Sequence, residues 1–124
     1  MSIKHKNSKA RSQLLNTMER DHDIRPGSIF KLGQKTWFSK FVAPLDEDKM
    51  VTSWSIYTPI FRKKGDIVMF VDIAYDPYMK KFLLRFLSAE QTIVLVYEKR
   101  KTLRMIKKNM SLVSLPTKGI VADD

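Results

Sequence analysis

Apolar and polar residues alternate with two different periods along the chain, and the period changes near Pro26. Before this proline, apolar residues recur at the spacing of one helix face. They are Ala10, Leu14, Leu15 and Met18. The pattern predicts a short amphipathic helix over about residues 8–20, with a stop at Arg25-Pro26-Gly27. After it, short β-rich segments separated by turn residues predict an all-β domain.

The first β segments suggest a hairpin and two further strands. Residues 28–32 and 36–42 flank Gly33-Gln34-Lys35, for which a β-hairpin is the economical interpretation. In residues 53–60, Trp54 and the apolar positions after it alternate with polar ones, which predicts a half-buried strand that ends near Pro59. Residues 67–71 are continuously apolar, which favours a central strand.

The segment YDPYMKKFLLRFLSAEQ fits two templates. As a helix it has Asp76 at the N-cap and Pro77 at the first helical position. As a strand, Phe82, Leu84 and Phe86 alternate with their neighbours and lead into a turn. We favour the strand, because the neighbouring β segments need pairing partners and local propensity is easily overridden. The following TIVLVY, residues 92–97, predicts another strand.

The segment EKRKTLRMIKKNM, residues 98–110, is also ambiguous. Leu103, Ile106 and Met110 fit one face of a helix, whose basic side could enter a major groove. The other interpretation is a strand at 102–106 between two charged turns. We favour the strand, because the β segments on either side would otherwise lose a neighbour. The basic side chains would then form a band along that strand.

The length of 124 residues predicts one domain with an appendage. We expect a basic arm and short helix over residues 1–25, a β-barrel domain over 26–116 and a flexible tail over 117–124. The arm carries no acid before residue 12 and is expected to be mobile when free. Trp37 and Trp54 stand among alternating apolar positions, so we expect both to be buried.

Residues 64–116 resemble a small SH3-like barrel of the kind found in KOW and Tudor modules. The resemblance depends on KGDIVMFVD, on KFLLRFLSAEQTIVLVYEKRKTLRMI and on KKNMSLVSLP. It implies a mainly β fold, with an added β-hairpin and the N-terminal helix outside the barrel. Such modules are binding proteins for RNA, DNA, RNA polymerase, ribosomes or modified peptide tails. The combination of a small β fold and a basic composition also resembles phage-encoded accessory proteins that bind DNA or host transcription machinery.

Charge and composition narrow the class of partner. The chain has 23 Lys and Arg against 13 Asp and Glu, a formal charge of +10 that attracts polyanions. It has no cysteine, which excludes disulfides, thiolate metal sites and cysteine nucleophiles. No apolar run approaches the roughly 18 residues of a membrane span, and the N-terminus lacks a signal-peptide pattern. We therefore expect a cytoplasmic protein without a membrane partner.

Residues suited to catalysis are few. Both histidines, His5 and His22, precede the β domain, so a histidine triad or zinc site in the core is excluded. Asp72 and the Glu98-Lys99-Arg100 run faintly resemble the carboxylates of a metal-dependent nuclease, but chance is the better explanation. The chain also lacks a glycine-rich phosphate loop. We expect no catalytic residue, metal or cofactor.

Three basic groups remain as the candidate nucleic-acid site: the arm, a turn near residue 63 and the segment at 99–108. Their members are Lys4, Lys6, Lys9, Arg11, Arg62, Lys63, Lys64, Lys99, Arg100, Lys101, Arg104, Lys107 and Lys108. Phosphate contacts from such residues predict binding of DNA or RNA with weak sequence specificity. The hypothesis is a non-catalytic protein that binds nucleic acid or a nucleoprotein machine. The alternative is a regulator that binds a protein such as a polymerase or nuclease.

Overall fold

A computed structural model describes the backbone of residues 3–115 and the side chains of residues 7–115. The predicted tail at 117–124 and the side chains of Lys4 and Lys6 lie outside the described residues. In chain order the elements are α1 Ile3–His22, β1 Ile29–Leu32, β2 Thr36–Lys40, β3 Pro59–Arg62, β4 Ile67–Asp76, β5 Lys81–Ser88, β6 Gln91–Val96, α2 Arg100–Asn109 and β7 Met110–Ser114. Across this part of the chain, neither helix has the length and apolarity to span a bilayer.

The seven strands form one antiparallel sheet in the order β3-β2-β6-β5-β4-β1-β7. The mainly β prediction is confirmed. The prediction of a closed SH3-like barrel is wrong, because β3 and β7 form opposite edges and do not pair with each other among the described residues. Among residues 3–115, each edge strand therefore has one side without a strand partner.

The predicted hairpin of β1 and β2 is also wrong, since three strands lie between them. Leu32 and Thr36 are only four Cα steps apart, which limits their separation to about 15 Å. In a flat sheet, four strand spacings would separate β1 from β2 by roughly 19 Å. The sheet must therefore curve strongly, and a bulge in β4 between Phe70 and Asp72 adds to this bend.

Both helices cover one face of the sheet, which we call the helix face. Its centre is an edge-to-face cluster in which the ring of Phe86 lies 5.8 Å from Phe38 and 5.6 Å from Phe70. Met18 of α1 and Ile106 of α2 are buried in the same cluster. Burial of these side chains holds the helices against the sheet.

The loop of residues 41–58 covers part of the opposite face. Phe41 and Val51 are buried there against the sheet residues Leu83 and Val94. Beside them, Arg85 Nε and Nη2 donate to the two carboxylate oxygens of Asp72 at 2.6 and 2.7 Å. Such a bidentate pair fixes the direction of both side chains.

Tyr57 ties the loop to the end of β4. The phenolic O–H of Tyr57 donates to Asp76 Oδ2 at 2.5 Å, and the Asp76 residue is buried. The other oxygen of Asp76 accepts the N–H groups of Tyr78 and Met79 at 2.8 and 3.2 Å. One carboxylate thus stabilises both the turn after β4 and the position of the loop.

Several predicted elements differ from the observed ones in their bounds. The predicted helix lies within α1, which begins at Ile3, so the helix starts about five residues earlier than predicted. The central strand and the strands at β5 and β6 are confirmed. Residues 54–58 are not in a strand, and Pro59 begins β3 instead of ending it.

We expect the turn between β5 and β6 to accept a stabilising substitution. Ala89 and Glu90 have φ of 50° and 61°, the left-handed values that a two-residue hairpin turn requires and that Asn and Gly adopt readily. Ala89→Asn with Glu90→Gly should raise the free energy of unfolding by about 1 kcal/mol. Urea titration followed by far-UV circular dichroism measures this change. Ala89→Val is the opposite control and should destabilise.

Tyr57 should contribute stability that depends on pH. Burial and the hydrogen bond to Asp76 raise the pKa of Tyr57 above its usual value. Its contribution is therefore fully present below pH 10, where the unfolded tyrosine keeps its proton, and is lost at higher pH. Tyr57→Phe should lower the free energy of unfolding at pH 7 by roughly 1 to 2 kcal/mol.

The same variant should lose less stability than the wild type between pH 10 and pH 11. Tyr78→Phe is the matched control, since Tyr78 is exposed and its O–H donates only at 3.3 Å to Thr52. Equal effects of the two substitutions would contradict the role of the Asp76 contact.

Candidate nucleic-acid interface

The segment predicted as a charged strand is the helix α2, so that prediction is wrong. Leu103 and Ile106 are buried against the helix face of the sheet, as the rival helical pattern requires. A strand at residues 102–106 is not needed as a neighbour of β6, because β2 pairs with β6. The basic residues therefore lie on a helix surface and not along a strand.

The start of α2 is joined to the end of β6 by one hydroxyl. Thr102 Oγ1 accepts the N–H of Glu98 at 2.7 Å and donates to the carbonyl of Val96 at 3.1 Å. Thr102 itself is buried. Lys99, which directly precedes α2, has φ of 56° and ψ of −135°, a conformation that usually requires glycine. The chain thus accepts backbone strain where the helix begins.

Five cations occupy the exposed surface of α2, which we call the basic face. They are Arg100, Lys101, Arg104, Lys107 and Lys108. At 100° per residue they fall within an arc of about 120° centred opposite the buried positions, and they span about 12 Å along the helix axis. Within residues 7–115 none of the five forms an ion pair.

The C-terminal end of α2 contacts the connection between β1 and β2. Gly33 N–H donates to the carbonyl of Asn109 at 2.6 Å, and Gln34 Nε2 donates to Asn109 Oδ1 at 2.5 Å. The preceding residue, Leu32, exchanges backbone hydrogen bonds with Gly65 and Asp66 at 2.7 and 2.9 Å. The turn that carries the exposed Lys63 and Lys64 therefore lies near the end of the basic face.

Arg62 is partly buried, and its guanidinium group forms hydrogen bonds within the protein. Its Nε donates to Ser88 Oγ at 2.9 Å and its Nη2 donates to Gln91 Oε1 at 2.8 Å. Its Nη1 donates to a backbone carbonyl at 3.2 Å. All three nitrogens of the guanidinium group are thus used to hold β3 beside the β5–β6 turn.

The N-terminal basic group is separate from the basic face. His22 at the end of α1 lies beside α2, in a groove of about 240 Å³ that Arg100 and Leu103 also line. Lys9 precedes His22 by thirteen helical residues, about 20 Å along the axis. Arg11 faces the sheet, where its Nη1 donates to the carbonyl of Ile73 at 3.4 Å. The structure therefore brings Lys63 and Lys64 to the end of α2, whereas Lys9 and Arg11 lie away from the basic face.

Both tryptophans are exposed, contrary to the prediction of burial. Trp37 retains 56% of its accessible surface, and Trp54 retains 69%. Trp37 lies directly across from Phe61, with the rings 5.3 Å apart, and the Lys35 ammonium lies 5.1 and 4.3 Å from the two ring centres. The alternation of apolar and polar residues around Trp37 predicts the strand β2, but it does not show which face of that strand is covered.

Trp54 belongs to a second exposed apolar group on the loop. The pairing of β2 with β3 continues through Lys40 N–H, which donates to the Thr58 carbonyl at 2.8 Å. The next pair, Phe41 and Tyr57, has stacked rings 6.2 Å apart. Val42, Trp54 and Ile56 all belong to this loop, and we call these three residues the apolar ridge; Val42 and Ile56 are 81% and 72% exposed.

The carboxylates considered for catalysis have other contacts. Asp72 is bound by Arg85, and Lys49 Nζ lies 3.6 Å from its second oxygen. Glu98 pairs with Lys81 at 2.8 Å, and this hydrogen bond lowers the pKa of Glu98. Across the part of the chain that the structure describes, no three histidine or acidic side chains are placed to hold a metal ion. Asp72 and Glu98 therefore do not meet at one site.

No protein-family model matches the chain, and no curated protein or solved structure shows significant similarity to it. The features of the structure that bear on function are the basic face, its neighbouring turn and the exposed aromatic residues.

Proposed function

We propose that the protein binds nucleic acid without chemistry of its own, through the basic face of α2. The observation that carries this proposal is the arrangement of five cations on one helix surface, with no ion-pair partner within residues 7–115. Cations at this density attract a polyanion and release its counterions on binding. The partner is DNA or RNA, free or within a nucleoprotein complex.

The position of the charges along α2 also supports binding. Arg100 and Lys101 lie in the first turn, where the helix dipole is positive and cations are unfavourable by typically 0.3 to 1 kcal/mol each. No acid balances them in that turn. This arrangement weakens the helix and strengthens the positive potential at its start, which favours a bound phosphate.

The basic face contains arginine and lysine, and both kinds of side chain contact phosphates. Amide side chains of the kind that read adenine are absent from the exposed face of α2. Lys63 and Lys64 extend the surface at the C-terminal end of the helix. Such contacts predict affinity that depends steeply on salt and weakly on base sequence.

Removing two central cations should weaken binding to nucleic acid. In the double variant Arg104→Ala with Lys107→Ala, we expect lower affinity and a reduction of roughly 2 in the slope of log affinity against log salt. Fluorescence anisotropy with labelled 20-nucleotide DNA and RNA, titrated at several salt concentrations, measures both quantities. Both side chains are exposed, so the fold should be retained.

The matched control is Lys9→Ala with Lys40→Ala, which removes the same charge from exposed sites away from α2. The control should bind nearly as tightly as the wild type. Equal weakening in the two variants would mean that net charge alone causes binding, and would refute the assignment to α2.

A protein-binding regulator is the second candidate, and the apolar ridge favours it. The loop exposes three large apolar side chains, and a contiguous patch of such residues is typical of a protein interaction site. Trp54→Ser with Ile56→Ser should then abolish capture of a partner protein from a nuclease-treated lysate, while Arg104→Ala with Lys107→Ala retains it. Capture that survives the ridge substitutions would exclude this role for the ridge.

A further inference from the structure

The pair of Trp37 and Phe61 is an exposed aromatic surface next to the basic residues. The two residues are partners in the pairing of β2 with β3, and both are exposed; Phe61 retains 39% of its accessible surface. Their rings meet edge to face at an interplanar angle of 63°. Lys35 contacts both rings, yet more than half of Trp37 stays in contact with solvent. The sheet therefore presents aromatic area that its own core does not use.

Cations lie on both sides of this aromatic pair along the chain. Lys35 follows the Gly33-Gln34 segment that is hydrogen bonded to the end of α2. Lys63 and Lys64 follow Phe61 after one residue and are exposed. A strand of nucleic acid whose phosphates contact these lysines would place its bases within reach of the rings. Lys35 therefore links the aromatic pair to the connection that contacts the end of α2. Because Phe38 faces the helices, its neighbour Trp37 projects from the other face of the sheet.

An aromatic surface flanked by cations distinguishes single-stranded from double-stranded nucleic acid. In a duplex the base faces are already stacked on each other, so only phosphates and groove edges are available. In a single strand every base has a face that can stack on an aromatic side chain, whatever its identity. Arginine and lysine then contact the backbone between the stacked bases.

We infer that the protein binds single-stranded DNA or RNA in preference to duplex, with bases stacked on Trp37 and Phe61 and with phosphates held by Lys35 and the 63–64 turn. This inference rests on the proposed function and adds the form of nucleic acid that is bound. It also assigns a role to Trp37 that Trp54, at the other end of β2, does not share.

The two exposed tryptophans provide a matched fluorescence experiment. Trp54→Phe leaves Trp37 as the sole indole, and Trp37→Phe leaves Trp54. Titration with oligothymidine or oligouridine should quench the Trp54→Phe variant and leave the Trp37→Phe variant nearly unchanged. Duplex DNA of the same length should quench neither variant strongly. Circular dichroism checks that each variant is folded.

Affinity gives an independent measurement. Trp37→Ala should weaken binding to the single strand roughly 5- to 150-fold and change duplex binding little, because stacking energy is lost and phosphate contacts remain. Trp54→Ala is the control and should bind as the wild type does.

The outcomes separate this inference from the proposed function. Binding that is weakened by the α2 substitutions, but is equal for duplex and single strand and unaffected by Trp37→Ala, would overturn the stacking site alone. No binding of wild-type protein to any of these nucleic acids at low salt would overturn the proposed function and the stacking site together.

Discussion

The three residues between β1 and β2 hold together parts of the chain that are distant in sequence. Because this connection is so short, strands that are four positions apart in the sheet must approach each other, and the sheet must bend. Gly33 also approaches α2 closely: a Cβ at this position would lie 3.3 Å from the Asn109 carbonyl. The bend of the sheet, the position of α2 and the position of Lys35 beside the aromatic rings all depend on this short connection.

The sequence predicted local elements better than their pairing. β5 was recognised because Phe82, Leu84 and Phe86 alternate, and the alternation corresponds to one face of the sheet. The pairing of β2 with β6, in contrast, joins residues more than fifty positions apart. Turn residues and short-range patterns carry no information about such a distant contact. They therefore favour a hairpin of β1 and β2, which is wrong. The strand predicted at 102–106 is wrong for the same reason, because the partner of β6 is the distant strand β2 and not the segment that follows β6.

The sequence predicts which basic residues belong to the candidate site, but it does not predict how they are arranged. The cations of residues 99–108 are visible in the sequence, but their common face depends on the helix. The engagement of Arg62 with Ser88 and Gln91 could not be read from a basic run, since both acceptors come from a distant turn. Period-2 alternation around Trp37 and Trp54 is equally compatible with either face being covered. Only the position of the helices and of the 41–58 loop decides between the two faces.

The short strand β2 has a consequence for how ligands could combine on this protein. Trp37 lies near its first residue, and the loop that carries Val42 begins directly after its last. The two exposed surfaces are therefore held at opposite ends of a rigid spacer of five residues, roughly 15 Å long. If both proposed contacts are made, this spacing separates the two ligands along β2. If those ligands are themselves connected, the protein acts as a bivalent adaptor whose overall affinity exceeds that of either contact.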